Sequence, residues 1–300
     1  MALSSSTQRW IEDVAGGRVV SVRVLRGATS SLLHVVDIET GGQKQSLVLR
    51  RFTDRKWVER EPDLAAREAR CLQHAQRVDL PAPRLVAVDA DGAHCGVPAT
   101  LVTMVAGTVV LTPDERSQWV GGLASAAAQI HRVDAAGFPW KYRRYNESAQ
   151  LTVPAWSPQP KAWAAAIAAV QSRPPTYREC FIHRDYHPSN VLWDNGRVSG
   201  VVDWVNGCRG PAGIDVAWCR HNLANLQSVA VADEFLDAYL TEAAGDFSYD
   251  PYWDLMSVVE LLPGPPAMYE GWRAAGFAPI SNAIMRERVD AYVASVVARL

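Results

Sequence analysis

The sequence predicts an α+β protein with two lobes: a small antiparallel sheet with a helix, then a larger and mainly helical lobe. The chain has 300 residues, which exceeds one typical domain and suits two lobes of about 100 and 200 residues. Short runs of alternating apolar residues dominate the first third, and longer helical patterns follow from residue 112. Strands grouped ahead of helices are typical of the α+β class. We place the lobe boundary between residues 1–105 and 106–300.

Composition narrows the class of partner. The chain is 48% hydrophobic and 21% charged with a net charge of −2, values that are typical of a globular protein and give no reason to expect nucleic acid or an anionic membrane. No apolar run approaches the roughly 18 residues of a spanning helix, and the N-terminus lacks a signal-peptide layout. The five cysteines form no C-x-x-C pair, which is typical of reduced thiols. We expect a cytoplasmic protein, either a monomer or a weak dimer.

The N-terminal lobe begins with a predicted β-meander. Residues 18–25, 31–38 and 45–52 alternate apolar and polar side chains and are separated by glycine-containing turns, as expected for consecutive strands. A helix is predicted over 62–77, because Pro62 and Asp63 are favourable first-turn residues. Two further strands are predicted at 84–88 and 99–105.

The C-terminal lobe carries mostly helical signals. Thr112, Pro113 and Glu115 have the residue types of an N-cap, N1 and N3, so they predict a helix start there. Further helices are predicted over 161–171 and 281–300. Residues 139–160 are predicted to form a loop rich in aromatic side chains, either a substrate-side cap or a packed connection.

The densest polar segment is 180–204, which reads CFIHRDYHPSNVLWDNGRVSGVVDW. Asn195 and Gly196 separate two short β-type runs and predict a hairpin, because both residues tolerate positive φ. Asn190 begins the first strand and Asp203 ends the second, so the hairpin should bring them to one end. Asp185 lies on the loop that leads into that end. Carboxylate and amide oxygens of this kind suit Mg²⁺.

This segment resembles the aminoglycoside phosphotransferase family. Its HRDYHPSN and Val202-Asp203-Trp204 are similar to the family's HGDLHPGN and to the I-D-W that ends its following strand. The resemblance implies a protein-kinase-like bilobal fold and ATP- or GTP-dependent transfer of phosphate to a hydroxyl of a small molecule. Asp185 would accept or orient the hydroxyl proton, while Asn190 and Asp203 would hold Mg²⁺. Arg184 and Tyr186 depart from the commonest form and leave the acceptor open.

The resemblance also implies a phosphate-binding basic residue on the third strand, and Arg50 occupies that position in place of the usual lysine. Leu64, Glu68 and Leu72 are spaced by four on the predicted helix, so Glu68 falls on its apolar stripe. A buried carboxylate needs a partner, and Arg50 is the candidate that would give the strand–helix ion pair of kinases. The alternative is a surface pair with a neighbouring arginine, namely Arg60, Arg67 or Arg70.

Two further segments are nucleotide-binding candidates by the same resemblance. The turn after the first strand offers backbone donors and hydroxyls that could contact phosphates, and its candidates are Gly27, Thr29, Ser30 and Ser31. Such turns join strands in many proteins, so this signal is weak by itself. The end of the fifth strand would meet the purine through backbone groups near Thr103, Met104 and Val105, although the run also reads as an ordinary buried strand.

Residues 206–218 resemble the family's G-x-P-x-x-D-x-A stretch, in which Asp215 would brace the catalytic loop. Residues 221–270 contain nine acidic residues and neither Lys nor Arg, with aromatic residues interleaved. A negative, aromatic surface would favour a cationic acceptor such as an aminoglycoside or an amino-alcohol. The alternative interpretation is solvated helix faces with core aromatics.

Three other functions stay open at this point. A metabolite kinase acting on choline, homoserine or a sugar amine would differ only in its acceptor pocket. A pseudokinase would bind nucleotide without turnover, although Asp185, Asn190 and Asp203 are all present. A hydrolase could hold Zn²⁺ through His183, Asp185 and His187, because alternate residues of an extended segment face one way. An antibiotic acceptor would make the protein a resistance enzyme.

Overall fold

The computed structural model describes residues 3–25, 31–144, 150–172 and 174–300. The chain divides into two compact units. The first contains Met1–Gly107 and Ser199–Gly207, and the second contains Thr108–Val198 and Cys208–Leu300. The sequence prediction divided the chain at residues 105 and 106 and did not assign residues 199–207 to the first unit.

The first unit is organised around a five-stranded antiparallel sheet. Its strands are β1 (Arg18–Leu25), β2 (Leu32–Thr40), β3 (Gln43–Arg51), β4 (Leu85–Asp89) and β5 (Ala99–Thr103). Their spatial order is β1-β2-β3-β5-β4, and every neighbouring pair is antiparallel. Each predicted strand is present, with bounds that differ by a few residues.

Within the described residues of the first unit, three helices accompany this sheet: α1 (Ser5–Ala15), α2 (Arg55–Arg60) and α3 (Leu64–Ala75). The sequence prediction assigned no element to α1 or α2. The hydroxyl of Ser4 caps α1 by accepting from the backbone N–H of Thr7, and Trp10 and Ile11 join the buried apolar cluster of the sheet. On α3 the stripe that contains Glu68 is buried, as its spacing predicts.

The second unit is mainly helical. Its helices are α4 (Arg116–His131), α5 (Pro160–Gln171), α6 (Ala212–Leu226), α7 (Val229–Ala243), α8 (Pro251–Val259), α9 (Glu270–Ala274) and α10 (Asn282–Val297). Its strands are β6 (Thr108–Val109), β7 (Glu179–Ile182), β8 (Val191–Asp194), β9 (Arg197–Val201, of which the last three residues belong to the first unit) and β10 (Cys208–Pro211). One small sheet has the order β6-β8-β9, and β7 pairs with β10 in another. The sequence prediction had no strand at β10.

The predicted start of α4 is wrong. The helix begins at Arg116 rather than near Thr112, and its N-cap residue Glu115 makes no side-chain capping bond. Leu111 is buried in a cluster with Trp272, and its carbonyl accepts a 2.9 Å hydrogen bond from the side chain of Gln227. These tertiary contacts fix the chain just ahead of residue 112, so the local capping signal does not decide where the helix starts.

The hairpin of β8 and β9 forms where the sequence predicts it. Asn195 and Gly196 adopt φ values of 49° and 73°, the left-handed conformation that a tight hairpin turn demands. In the described part of the aromatic loop that follows α4, Trp156 contacts the Trp163 ring edge-on at 5.4 Å and the Tyr142 ring lies 4.7 Å from the guanidinium of Arg184. Within the described residues, no helix combines the length and the apolar character needed to span a membrane.

Candidate active site

Asp185 lies on the loop between β7 and β8, in the second unit, with its side chain 30% exposed. The indole Nε1–H of Trp218, on α6, donates a 3.0 Å hydrogen bond to its Oδ1. The amide Nδ2 of Asn190 donates to the backbone carbonyl of Asp185 at 2.9 Å and lies 3.5 Å from Oδ2. The carboxylate is therefore held by defined donors while part of it stays accessible to a substrate.

The loop that carries Asp185 is fixed from below by a buried carboxylate. Asp215, on the first turn of α6, is fully buried and accepts the backbone N–H groups of His183 at 2.6 Å and Arg184 at 2.7 Å. Its Oδ2 also lies 3.1 Å from Nε2 of His131. Charge-assisted bonds to backbone N–H groups are strong. The predicted bracing role of Asp215 is confirmed.

Arg184 occupies a position that ordinarily suits glycine, because its φ is 69°. A left-handed conformation costs a non-glycine residue about 1–2 kcal/mol. Its guanidinium lies 4.7 Å from the centroid of the Tyr142 ring and 3.4 Å from the carboxylate of Glu260, and both charged side chains are buried. These contacts offset the backbone cost, so they explain how this chain carries arginine beside Asp185.

In the first unit, Arg50 joins two carboxylates. Its Nη1 lies 2.7 Å from Oε1 of Glu68 and 2.6 Å from Oδ1 of Asp203. The predicted strand–helix pair with Glu68 is therefore present, and Oε2 of Glu68 accepts from the hydroxyl of Thr100. Burial lowers the pKa of Arg50, but Asp203 and Glu68 outweigh burial and the net shift is upward. Arg50 is a permanent cation at this position.

The structure describes only some of the other residues that were predicted to bind nucleotide. Gly27, Thr29 and Ser30 lie outside the described residues. The hydroxyl of Ser31 accepts a 2.9 Å hydrogen bond from Nε of Arg50, so this residue of the turn does reach the basic side chain.

The end of β5 carries the remaining three candidates. Thr103 accepts the backbone N–H of Arg84 through its side chain, whereas Met104 is exposed. Val105 packs against Gly200, where an added Cβ would come within 2.7 Å of Val105 Cγ1 and 2.6 Å of the Pro81 carbonyl oxygen. Glycine at position 200 therefore permits this close approach.

The acidic stretch 221–270 is less available to a cationic ligand than its composition predicts. Arg220, immediately before the stretch, is fully buried and pairs with Asp254 and, at 2.6 Å, with Asp233. Glu260 pairs with Arg184. The prediction considered only charges inside the stretch, so it missed the arginines elsewhere in the unit that neutralise these acids.

A zinc centre built on His183, Asp185 and His187 finds no support. His183 is buried and packs edge-on against the ring of Tyr186. Within the part of the chain that the structure describes, no group of three or more His, Cys, Asp or Glu side chains is arranged to hold a metal ion.

Sequence reasoning missed Trp218. It lies 33 residues from Asp185, and a tryptophan within a helical pattern signals only a packed face. A retrospective signal does exist, because Trp218 follows Asp215 by three residues and neighbouring positions on a helix face the same side. An aspartate that braces a loop therefore indicates which side chains of its helix can reach that loop.

A model of the phosphotransferase enzyme family matches residues 23–252. The chain belongs to this family. Membership confirms the predicted family and the predicted phosphotransferase class of the enzyme. The matched span includes Arg50, Glu68, Asp185, Asn190 and Asp203. A comparison with curated proteins found no match.

Solved structures of phosphotransferases share the fold of this chain. A macrolide 2′-phosphotransferase from Brachybacterium faecium is 18% identical with a TM-score of 0.60, over 94% of this chain and 96% of that one. An amicoumacin kinase in complex with AMP-PNP, Ca²⁺ and Ami is 13% identical with a TM-score of 0.61, over 97% and 93%. A thermostable aminoglycoside phosphotransferase mutant with ADP and hygromycin B is 17% identical with a TM-score of 0.60, over 97% and 99%. At these identities the similarity concerns the fold, and it confirms the predicted kinase-like α+β class.

Proposed function

We propose that this phosphotransferase moves the γ-phosphoryl group of ATP or GTP to a hydroxyl of a small molecule, with Asp185 as the group that accepts or orients the hydroxyl proton. The observation that carries the proposal is the environment of the Asp185 carboxylate, which Trp218 and Asn190 hold on a loop braced by Asp215. Phosphoryl transfer needs little covalent chemistry from the protein and depends mainly on positioning and charge. A rigidly held carboxylate meets that need.

For the divalent cation we propose two ligands, Asn190 of the second unit and Asp203 of the first. Because Nδ2 of Asn190 donates to the carbonyl of Asp185, Oδ1 is the amide atom left for a cation. Asp203 contributes a carboxylate that is 37% exposed. Oxygen ligands favour Mg²⁺, and Mg²⁺ would neutralise charge on the nucleotide phosphates. Ca²⁺ accompanies AMP-PNP in the amicoumacin kinase complex, which supports a nucleotide with a divalent cation here.

Arg50 is proposed to bind the nucleotide phosphates and Glu68 to position it. Nε of Arg50 donates to Ser31 and Nη1 donates to Glu68 and Asp203, so Nη2 is the guanidinium nitrogen that we assign to a phosphate oxygen, as a charge-assisted bond. Gly27, Thr29 and Ser30 are proposed as further phosphate contacts on the sequence alone. The backbone groups of residues 103–105 are proposed to contact the purine. These assignments follow from the family resemblance together with the Arg50 contacts.

For the acceptor we propose an antibiotic-like molecule or an amino-alcohol. The solved structures of this fold include enzymes named for macrolides, amicoumacin and aminoglycosides, which supports a broad acceptor class. The pairing of Asp233, Asp254 and Glu260 with arginines weighs against recognition of a polycation by charge alone. A metabolite kinase would need the same loop and a different acceptor pocket.

The test compares Asp185→Asn with Asp194→Asn, an exposed aspartate on the neighbouring hairpin. Nucleotide binding is measured by calorimetry with Mg-ATP and Mg-GTP, and turnover is measured with hygromycin B, a macrolide and choline. We expect Asp185→Asn to lower kcat by about 10²–10⁴-fold with nucleotide affinity retained, while Asp194→Asn behaves as the unaltered protein.

Three outcomes would contradict the proposal. Loss of nucleotide affinity together with activity would make Asp185 a ligand or a structural residue. Nucleotide binding without turnover on any acceptor hydroxyl would indicate a pseudokinase. A protein that binds neither nucleotide, with or without Mg²⁺, would not be a kinase of this type.

A further inference from the structure

The second unit contains a cavity of about 330 Å³ that the proposed reaction does not use. Its described lining includes His131 and Gly213 but neither Asp185 nor Asn190. The volume lies at the lower end of the range for small-molecule sites, roughly 300–1,000 Å³. The cavity therefore has room for a compact ligand, and the chemistry of its lining indicates which kind.

The apolar part of the lining is aromatic. Tyr239 meets the Phe247 ring edge-on at 5.1 Å, and Tyr177 meets the Trp253 ring edge-on at 5.7 Å. Tyr239 and Trp253 are buried, whereas Tyr177 is 45% exposed, so the lining has a buried aromatic part and an exposed aromatic edge. Trp253 also packs directly over Gly213, where an added Cβ would come within 2.4 Å of the indole. Aromatic side chains form favourable stacked or edge-to-face contacts with other rings, so this lining favours a ligand that carries an aromatic ring.

The charged part of the lining is predominantly positive. Arg132 and Arg178 line the cavity, and Asp246 is the sole carboxylate among its described lining residues. The Arg178–Asp246 contact is loose, at 3.9 Å between side chains that are 53% and 70% exposed. An exposed ion pair of this geometry is weak, and the other contact of Arg178, from Nη2 to the carbonyl oxygen of His131, is long at 3.4 Å, so an anion can compete for this side chain. Arg132 donates from Nη2 to the carbonyl oxygen of Glu242 at 2.7 Å, which leaves its other nitrogens for an anion. Guanidinium groups match planar carboxylates particularly well.

We propose that this cavity binds a small anion in which a flat aromatic ring carries a carboxylate on a short arm, with the ring against the aromatic side chains and the carboxylate at Arg132 and Arg178. Such a ligand contacts the aromatic side chains with its ring and the two arginines with its carboxylate at the same time. Neither a neutral ring nor a non-aromatic anion would do so. The described lining contains none of the residues assigned to the nucleotide, the cation or the reacting hydroxyl, and occupancy of the cavity does not depend on the proposed function being correct.

A hydrogen-bonded path joins the cavity to the loop that carries Asp185. The hydroxyl of Tyr239 lies 2.7 Å from Nδ1 of His131, and Nε2 of His131 lies 3.1 Å from Asp215. Asp215 in turn accepts the backbone N–H groups of His183 and Arg184. A ligand packed against Tyr239 and His131 thus contacts the hydrogen-bond partner of Asp215, one step from the two backbone amides that Asp215 holds, and binding should alter the surroundings of those amides.

Binding is tested by calorimetry on the full chain with indole-3-acetate, beside its neutral analogue indole-3-acetamide. Arg178→Gln is compared with Arg116→Gln, an arginine outside the cavity that is similarly exposed (59%) and also paired with an acid. We expect the carboxylate to bind better than the amide. Arg178→Gln should weaken binding about tenfold, as for loss of a hydrogen bond to a charged group, and Arg116→Gln should not. Equal binding of carboxylate and amide, equal effects of the two variants, or no binding at millimolar concentration would overturn the site.

The path is tested by the backbone amide resonances of His183 and Arg184, a readout that needs no enzymatic activity. We expect both resonances to shift as indole-3-acetate is added. In Tyr239→Phe, which keeps the ring and removes the hydroxyl, binding should persist and the shifts should fall at least twofold. Shifts that are absent, or that survive in Tyr239→Phe unchanged, would overturn the path.

Discussion

The contact between Trp218 and Asp185 makes a prediction about catalysis. Trp218→Phe removes the indole N–H that donates to Asp185 Oδ1 at 3.0 Å and keeps an aromatic ring on a half-buried side chain. A hydrogen bond to a charged group contributes about 1.5–3 kcal/mol, which corresponds to about 10- to 150-fold in rate if it acts only in the transition state.

Two effects of the substitution oppose each other. Without the donor the carboxylate is less well positioned, which slows transfer, but its charge is also less stabilised, which makes it a stronger base. Positioning should dominate because phosphoryl transfer through a loose transition state needs little proton abstraction. We therefore expect kcat to fall about 10- to 100-fold, within the range of that hydrogen-bond contribution, and the Kd for Mg-nucleotide to stay unchanged.

Steady-state kinetics with a saturating acceptor, beside calorimetry of nucleotide binding, measure the two quantities separately. The matched control is Trp193→Phe, because the Trp193 indole N–H has no hydrogen-bond partner among the described residues and the side chain is buried in the same unit. A kcat that rises or does not change in Trp218→Phe would refute the positioning argument. So would an equal fall in both variants.

Three further predictions concern stability. Burial lowers the pKa of His221 from 6.5 to about 4, so between these pH values the unfolded chain binds more protons than the folded one. The free energy of unfolding therefore decreases as the pH is lowered. Urea unfolding should show a loss of about 2 kcal/mol from pH 7 to pH 5, and this loss should be absent in His221→Phe. Arg50→Met leaves the buried carboxylate of Glu68 without its counter-charge and should cost about 3–5 kcal/mol in urea unfolding. Glu260→Gln removes the counter-charge of buried Arg184 and should cost about 1–3 kcal/mol and lower the Tm.

Each of these stability predictions has an outcome that contradicts it. A His221→Phe protein with the same pH dependence as the unaltered chain would assign the titration to other groups. Arg50→Met without loss of stability would mean that the carboxylate of Glu68 is protonated or rehydrated. An unchanged Tm in Glu260→Gln would mean that the other contacts of Arg184 suffice, and the double variant with Tyr142→Leu would then separate the two.

Local chemistry predicted several features correctly. Asn195 and Gly196 predicted the hairpin because positive φ is a property of those residues themselves. Glu68 was predicted to pair with Arg50 because a carboxylate on an apolar helix stripe must find a buried partner. The turn conformation is set by two adjacent residues, and the buried carboxylate of Glu68 had only a few candidate partners, so both features could be predicted from the sequence.

Other features depended on contacts between distant residues. The second partner of Arg50 is Asp203, which is 153 residues away, and no periodicity connects the two. The acids of 221–270 were predicted to be available to a cationic ligand because the prediction left out Arg220 and Arg184, which lie outside that stretch. The helix does not start at the capping signal of residues 112–115, because the buried tertiary contacts of Leu111 outweigh a cap worth about 1 kcal/mol.

The sequence by itself determined the family, the α+β class and the loop that carries Asp185, the proposed catalytic residue, because these rest on residue types at short, fixed spacing. The tertiary structure decided which donors hold Asp185 and Asp203, which acids are paired with arginines, and that a cavity is lined by His131, the hydrogen-bond partner of Asp215. Hydrogen bonds and ion pairs are selected by distance in space, and burial sets their strength. Neither quantity is readable from spacing along the chain.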